Sequence, residues 1–256
     1  MNIIVCIKSV VLDAPDGRVV RLPETCALNP FDRPAIEMAL HLRDKESGKV
    51  TAISMGPEEG SIALREAIAM GVDSAILITD PALAGSDTLV TSKVLHAAIK
   101  TIEPFDLIIF GTRASDSDTG HVGPQTALRL DLPLVTGVYN LDFKEFALIV
   151  ERKIDEFHER FRISLPGALT IHPTAIQTGV SSLKGIETAF RDNTIDKLTL
   201  ADLGLSPENV GEYGSPTTVL SMNRFTRKKK CEFFEGSVDE QVEKLVHRLT
   251  ESGTIG

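Results

Sequence analysis

Long apolar runs are missing from this chain of 256 residues. No stretch approaches the ~20 residues that a membrane helix requires, which argues against an integral membrane protein. Positive charge is in deficit, with 27 Lys and Arg against 36 Asp and Glu and a net charge of −9. Binding a phosphate backbone needs clustered Lys and Arg, so a nucleic-acid partner is not expected. The one basic run, RFTRKKK at 224–230, reads as a solvated loop. Cysteine is scarce: Cys6, Cys26 and Cys231 form no CxxC or CxxH, and the six histidines form no ligand spacing. No metal site is expected. Sparse thiols, behind a start (MNIIVCIKSVV) that reads as a strand rather than a secretion signal, suggest the cytoplasm or a matrix-like compartment, with the cytoplasm as the expectation. Neither G-x-G-x-x-G nor G-x-x-x-x-G-K-[ST] occurs, so neither a standard dinucleotide fingerprint nor a P-loop is supported. No Ser–His–Asp order stands out and His121 alone is weak evidence, so no catalytic residue is assigned.

What is present is a rhythm. Apolar runs at 2–8, 49–56, 74–80 and 105–111 read as buried strands. Between and after them, 30–48, 61–71, 87–102 and 123–132 carry apolar residues at helical spacing, two of them stopping at Gly48 and Gly71. Strand and helix alternating over short connections imply a parallel sheet through right-handed crossovers, with helices on both faces. After 133 the pattern shifts to two strands (VTGVYNLDF and ALIVERKID), a pair of strands joined at Pro166-Gly167, and a short helix at 182–193. From about 194 the rhythm fades until SVDEQVEKLVHRLTESG (237–253), where Ser237 can cap a helix whose Val238, Val242, Leu245, Val246 and Leu249 form one apolar stripe. The expectation is an α/β fold: a doubly wound, mostly parallel sheet with flanking helices, of adenine-nucleotide-binding type, plus an extended C-terminal arm. The domains are placed at 1–193 and 194–256. No internal repeat is visible.

In such a sheet, ligands sit beyond the carboxyl ends of the strands, where the strand order reverses. Those ends collect small and polar residues: Lys8-Ser9, LNPFD with Asn29 and Asp32, Met55-Gly56-Pro57, AGSDT at 84–88, and GTRASDSDTGHVG at 111–123. The last of these is a polar turn between a buried strand and a helix start. Free N–H groups there, with the helix dipole, favour an anion such as a phosphate. Gly111, Gly120 and Gly123 let backbone come close, Ser115, Ser117 and Thr119 can donate to phosphate oxygens, and Pro124 suits a first helical turn. Asp116 and Asp118 suit N–H caps, ribose hydroxyls or an adenine amino group better than a phosphate. The bland reading is that these residues, like Asp87 and Thr88, cap helices and bind nothing. Lys8 reads equally as a phosphate contact or a surface lysine.

The blocks IIVCIKSV, LNPFDRPAIEMALHL, MGPEEGSIALREAIAMGVDSAILITD, GTRASDSDTGHVGPQTALRLDLPLVTGV, SLKGI and LADLGL occur in an order similar to that of electron-transfer flavoprotein β subunits. The resemblance covers nearly the whole chain. It implies a heterodimer with an α subunit whose FAD exchanges electrons with a partner dehydrogenase, and an adenine nucleotide in the β subunit. AGSDT and D-x-D-T-x-x-V-G-P resemble the branch whose β subunit binds FAD and exchanges electrons with NAD(H), including electron-bifurcating members. The alternative branch binds AMP as a structural ligand, supporting a single FAD carrier for an acyl-CoA-type dehydrogenase. The resemblance carries the following residues into the cofactor site: Cys6, Ile7, Lys8, Asn29, Asp32, Met55, Gly56, Asp87, Thr88, Thr91, Gly111, Arg113, Asp116, Asp118, Thr119, Val122, Gly123 and Pro124. Leu183 matches the leucine that anchors the dehydrogenase, and ferredoxin is a further partner of the bifurcating type. The chain departs from the family where a lysine run often follows S-L-x-G-I: here ETAFRDNTID stands instead, which bears on the identity of the dehydrogenase. The long tail suits an arm that wraps the α subunit. An unrelated nucleotide-binding α/β module, folding as a monomer without flavin, is the third reading.

Overall fold

A computed structural model describes residues 1–11, 21–145, 147–191, 195–220 and 231–255. Two compact units divide the chain, Met1–Leu220 and Ser221–Gly256. The first begins with strand β1 (Asn2–Cys6) and a small antiparallel pair, β2 (Ser9–Val11) with β3 (Cys26–Leu28). Then come α1 (Arg33–Glu46), β4 (Lys49–Met55), α2 (Ser61–Met70), β5 (Ser74–Ile78), α3 (Thr88–Ile102), β6 (Leu107–Gly111) and α4 (Val122–Arg129). β7 (Leu134–Lys144), β8 (Ala147–Ile154), β9 (Phe157–Ser164), β10 (Gly167–Ile171), α5 (Leu183–Ala189), β11 (Ile195–Leu198) and a single turn, α6 (Gly211–Gly214), follow.

Among the described residues nine strands form the main sheet, in the order β11-β5-β4-β1-β6-β10-β7-β8-β9. From β11 to β7 neighbours run parallel; β8 and β9 extend that edge antiparallel. Both faces are covered, as continuous apolar strands require. Along β1 the alternation is clean: Ile3, Val5 and Ile7 join the core under α1 and α2, while Ile4 and Cys6 join the core with Val90, Val94 and Ala127 of α3 and α4. The sheet is doubly wound, and its order reverses between β1 and β6.

Local signals explain the element ends. Gly71 closes α2 in a left-handed conformation (φ 118°), and Asp87 caps α3 by accepting the Val90 N–H at 2.9 Å. α1 stops one residue earlier than its glycine suggests, because Ser47 takes the positive φ (56°) at its end.

Two sequence expectations need correction. The strands flanking Pro166-Gly167 do not pair with one another: β9 pairs with β8, while β10 inserts between β6 and β7. The segment beyond 193 also does not leave the first unit at once. β11 pairs with β5 at the sheet edge, and Leu200 and Val210 are buried in the α3–α4 core, so the compact units divide at Leu220 rather than at 193.

In the second unit, Ser237 and Glu240 form a reciprocal capping box that starts α7 (Val238–Glu251). The stripe residues Val238, Val242, Leu245 and Val246 are exposed. The basic run at 224–230 lies outside the described residues. No helix among the described residues is long and apolar enough to cross a membrane.

Candidate functional site

The carboxyl ends of β1 and β6 lie side by side in parallel register, with Cys6 opposite Phe110. Lys8 follows one end and the 111–121 turn follows the other. Between them the β3–α1 connection brings in Asn29 and Asp32, both almost fully buried. The Asn29 amide reads the turn from both sides: its nitrogen donates to the Arg113 carbonyl at 2.8 Å, and its oxygen accepts the Ser115 N–H at 3.1 Å. Asp32 accepts the Lys8 N–H at 2.7 Å. The approach is close enough that a Cβ on Gly111 would lie 2.2 Å from Asp32 Oδ1 and 2.6 Å from the Phe31 carbonyl oxygen. Only glycine fits there.

Charge is arranged over this frame. Lys8 Nζ meets Asp116 at 2.7 Å, and Arg113 pairs with Asp118 at 3.1 Å while lying over the Phe31 ring at 4.6 Å. The two aspartates therefore take cations rather than cap α4. The N-cap position of α4, His121, makes no side-chain cap, so that helix start keeps its positive end uncapped. Asp118 adopts a positive φ of 53°, which a short polar side chain tolerates. Burial pushes the Asp32 carboxyl up to about 7; the Lys8 N–H, Asn29 and the Lys8 charge offset part of this, and the Asp116 charge adds to it. Burial, and then the Asp32 charge, raise the Cys6 thiol well above its ordinary value, so it is inert.

The remaining carried-over residues occupy the same edge of the sheet. Met55 and Gly56 end β4, next to β1, and a Cβ on Gly56 would meet no atom within 4 Å. Asp87 and Thr88 start α3, with Thr91 one turn on. Val122, Gly123 and Pro124 form the first turn of α4, with Gly123 against the Phe110 ring. Thr119 is exposed in the turn. Leu183 stands apart. It opens α5, which packs on α2 with Gly185 against the Ala69 carbonyl, at the opposite end of α2 from Gly60. Leu183 is 87% exposed.

An electron transfer flavoprotein domain model matches residues 18–203. Over the full lengths of both chains, the protein is 40% identical to an electron transfer flavoprotein subunit beta of Thermoanaerobacterium thermosaccharolyticum. It is 36% identical, again over both full lengths, to the caffeyl-CoA reductase-Etf complex subunit CarD of Acetobacterium woodii. The chain belongs to the electron-transfer flavoprotein β-subunit family. A third full-length relative, 33% identical, is the acryloyl-CoA reductase electron transfer subunit gamma of Anaerotignum propionicum. In this β subunit the sequence reading finds both sides of the β1–β6 edge but misses Phe31, whose ring carries Arg113. The N-P-F-D spelling held the signal: a ring beside a buried aspartate in the β3–α1 connection.

Proposed function

We propose that this β subunit pairs with an α subunit and holds FAD over the 111–123 turn. There it exchanges electrons with NAD(H) and relays them, through the α-subunit FAD, to or from a partner dehydrogenase of acyl-CoA type. In an electron-bifurcating assembly, ferredoxin would take the second electron. The observation that carries the reading is the hydrogen-bonded frame at the β1–β6 reversal, where Asn29, Lys8, Asp116 and Arg113 fix the polar turn. The uncapped start of α4 supplies positive potential for a diphosphate, and open space above Gly56 gives it room. Bound FAD would supply the redox chemistry; the chain supplies position and electrostatics. Two full-length relatives carry names from acyl-CoA reductase systems, which supports a dehydrogenase of that class.

A nucleotide count tests the reading. The chain is co-expressed with its α subunit, the yellow complex is denatured, and FAD and AMP are quantified per heterodimer. Two FAD and no AMP are expected. One FAD and one AMP would make the turn a structural clamp, and a colourless monomer that binds nucleotide would remove it from flavin chemistry.

A further inference from the structure

The segment after β11 packs where the sequence gives no reason to expect it. Gly211 (φ +61°) lies against the loop before α3, so that a Cβ there would fall 2.0 Å from the Ala82 carbonyl oxygen. The Glu212 N–H donates to the Ala84 carbonyl at 2.9 Å. The Ser215 hydroxyl donates to the Gly211 carbonyl at 2.6 Å and accepts the Asp87 N–H at 2.9 Å. The Thr217 hydroxyl, at 2.8 Å, and its N–H, at 3.3 Å, both donate to Asp87 Oδ2. The other oxygen of that carboxylate accepts the Val90 N–H at 2.9 Å. One carboxylate thus ties the first turn of α3 to a strap 130 residues further along the chain. Lys93 adds a second tie, donating to the Asn209 carbonyl at 3.2 Å.

Asp87 is consequently engaged by the protein itself. Burial works to raise its carboxyl, but the hydrogen bonds from Val90 and Thr217 outweigh that and hold it below the usual carboxylate range. Thr88 and Thr91 differ. They lie at i and i+3 of α3, on one face, and among the described residues neither hydroxyl has a hydrogen-bond partner.

We propose that Ser215 and Thr217 are positioning residues for the nucleotide edge: they grip Asp87 and so set the first turn of α3, leaving the Thr88 and Thr91 hydroxyls to meet the ligand. Asp87 in this chain is the strap's acceptor rather than a nucleotide contact. The inference rests on the reading that a nucleotide occupies this edge. It makes cofactor retention depend on residues that do not touch the cofactor. The two bonds from Thr217 end on a carboxylate and are charge-assisted, about twice as strong as neutral ones.

The test uses the heterodimer with its natural cofactors and compares Thr217→Val, Thr217→Ser and Ser215→Ala with the wild type. Three quantities are read: the rate at which the β-subunit nucleotide is released on dilution, amide hydrogen exchange over residues 83–91, and the thermal midpoint. For Thr217→Val, release is expected to quicken on the order of tenfold, the worth of one hydrogen bond to a charged group. Exchange over 83–91 rises with it, and Thr217→Ser restores both. Ser215→Ala removes the acceptor of the Asp87 N–H together with the hydroxyl's donation to the Gly211 carbonyl; it moves the same quantities in the same direction and replaces Thr217→Val if that variant fails to assemble. Wild-type release overturns the proposal, whether exchange or the thermal midpoint changes or not, since the strap would then be merely structural. A wild-type complex that carries no nucleotide beyond the α-subunit FAD overturns the functional reading instead, while the exchange measurement still reports on the grip on Asp87.

Discussion

Lys8 and Asp116 stand 108 residues apart in the chain and 2.7 Å apart in the fold. Their ion pair bridges the ends of β1 and β6 at the reversal of strand order. The two side chains are 39% and 25% exposed, so the pair contributes at most about 1 kcal/mol to folding. Under the proposed function, its value is in holding an ammonium and the turn in one place before the nucleotide arrives. Lys8→Met is therefore expected to shift the thermal midpoint by only about 2–4 °C, the equivalent of roughly 1 kcal/mol in a chain of this size. Nucleotide per heterodimer should fall several-fold and become less sensitive to salt. Undiminished nucleotide content would take Lys8 out of the site.

Asn29 carries more of the frame than any charged residue in it. Its amide is buried and satisfies two backbone groups of the 111–121 turn. Asn29→Ala leaves the Arg113 carbonyl and the Ser115 N–H without that partner, at about 1–3 kcal/mol for each group left unsatisfied. The expected outcome is a lower midpoint in thermal unfolding together with loss of bound nucleotide. Asn29→Asp should rescue only the bond from the Ser115 N–H, since a carboxylate cannot donate to the Arg113 carbonyl. A stable Asn29→Ala complex with full nucleotide content would show that the turn holds its shape unaided.

Asp32 gives a pH dependence whose sign can be worked out. In the unfolded chain an aspartate titrates at about 3.9. In the fold, burial moves Asp32 up to about 7. The folded state thus favours the protonated form. The stability this contributes is fully present below about pH 4 and is lost as pH rises through about 7. Asp32→Asn stays neutral throughout and keeps an oxygen for the Lys8 N–H. The midpoint of the variant relative to the wild type should climb between pH 4 and pH 8. Thermal scans across that range check it, and parallel curves would contradict it.

How much of this was legible depends on distance along the chain. Strand β1, helix α3 with its Asp87 cap, and helix α7 with its Ser237–Glu240 box are written in local patterns, and the fold keeps them. Strand β11 reads only I-D-K-L, too short for a period to show, and takes its conformation from pairing with β5. The insertion of β10 between β6 and β7 is a choice of sheet neighbours that no window of sequence contains. The acids of the 111–121 turn follow the same logic. Next to a helix start, Asp116 and Asp118 look like caps, but Lys8, from another strand, and Arg113 claim them. The grip of Thr217 on Asp87 spans 130 residues and leaves no local trace.

Gly111 tests the closeness of the frame directly. Alanine would place a methyl 2.2 Å from Asp32 Oδ1 and 2.6 Å from the Phe31 carbonyl, which backbone cannot yield without moving the β3–α1 connection. Gly111→Ala should destabilise by about 2 kcal/mol or more, in the range of overpacking strain, and lower nucleotide content with it. Unfolding in denaturant measures the first and nucleotide release on denaturation the second. A variant as stable as the wild type would mean that the connection shifts freely and is not a frame.

Leu183 lies at a different place and should separate cleanly from all of these. It opens a short helix that is firmly seated. Ser182 caps the helix through the Gly185 N–H at 3.0 Å, and Arg65 holds its far end, donating to the Ala189 carbonyl at 2.6 Å with its guanidinium over the Phe190 ring. An apolar side chain 87% exposed on so firm a mount gains nothing from folding and is available to a partner. Anchors of this kind commonly cost 2 kcal/mol or more when truncated, so Leu183→Ala should slow electron transfer with the dehydrogenase on the order of thirtyfold at sub-saturating partner. Flavin content and thermal midpoint should stay at wild-type values, because the side chain supports neither core. Stopped-flow transfer at several dehydrogenase concentrations checks it: the deficit should shrink as the partner approaches saturation. Unchanged transfer rates would move the docking contact to another surface of this β subunit.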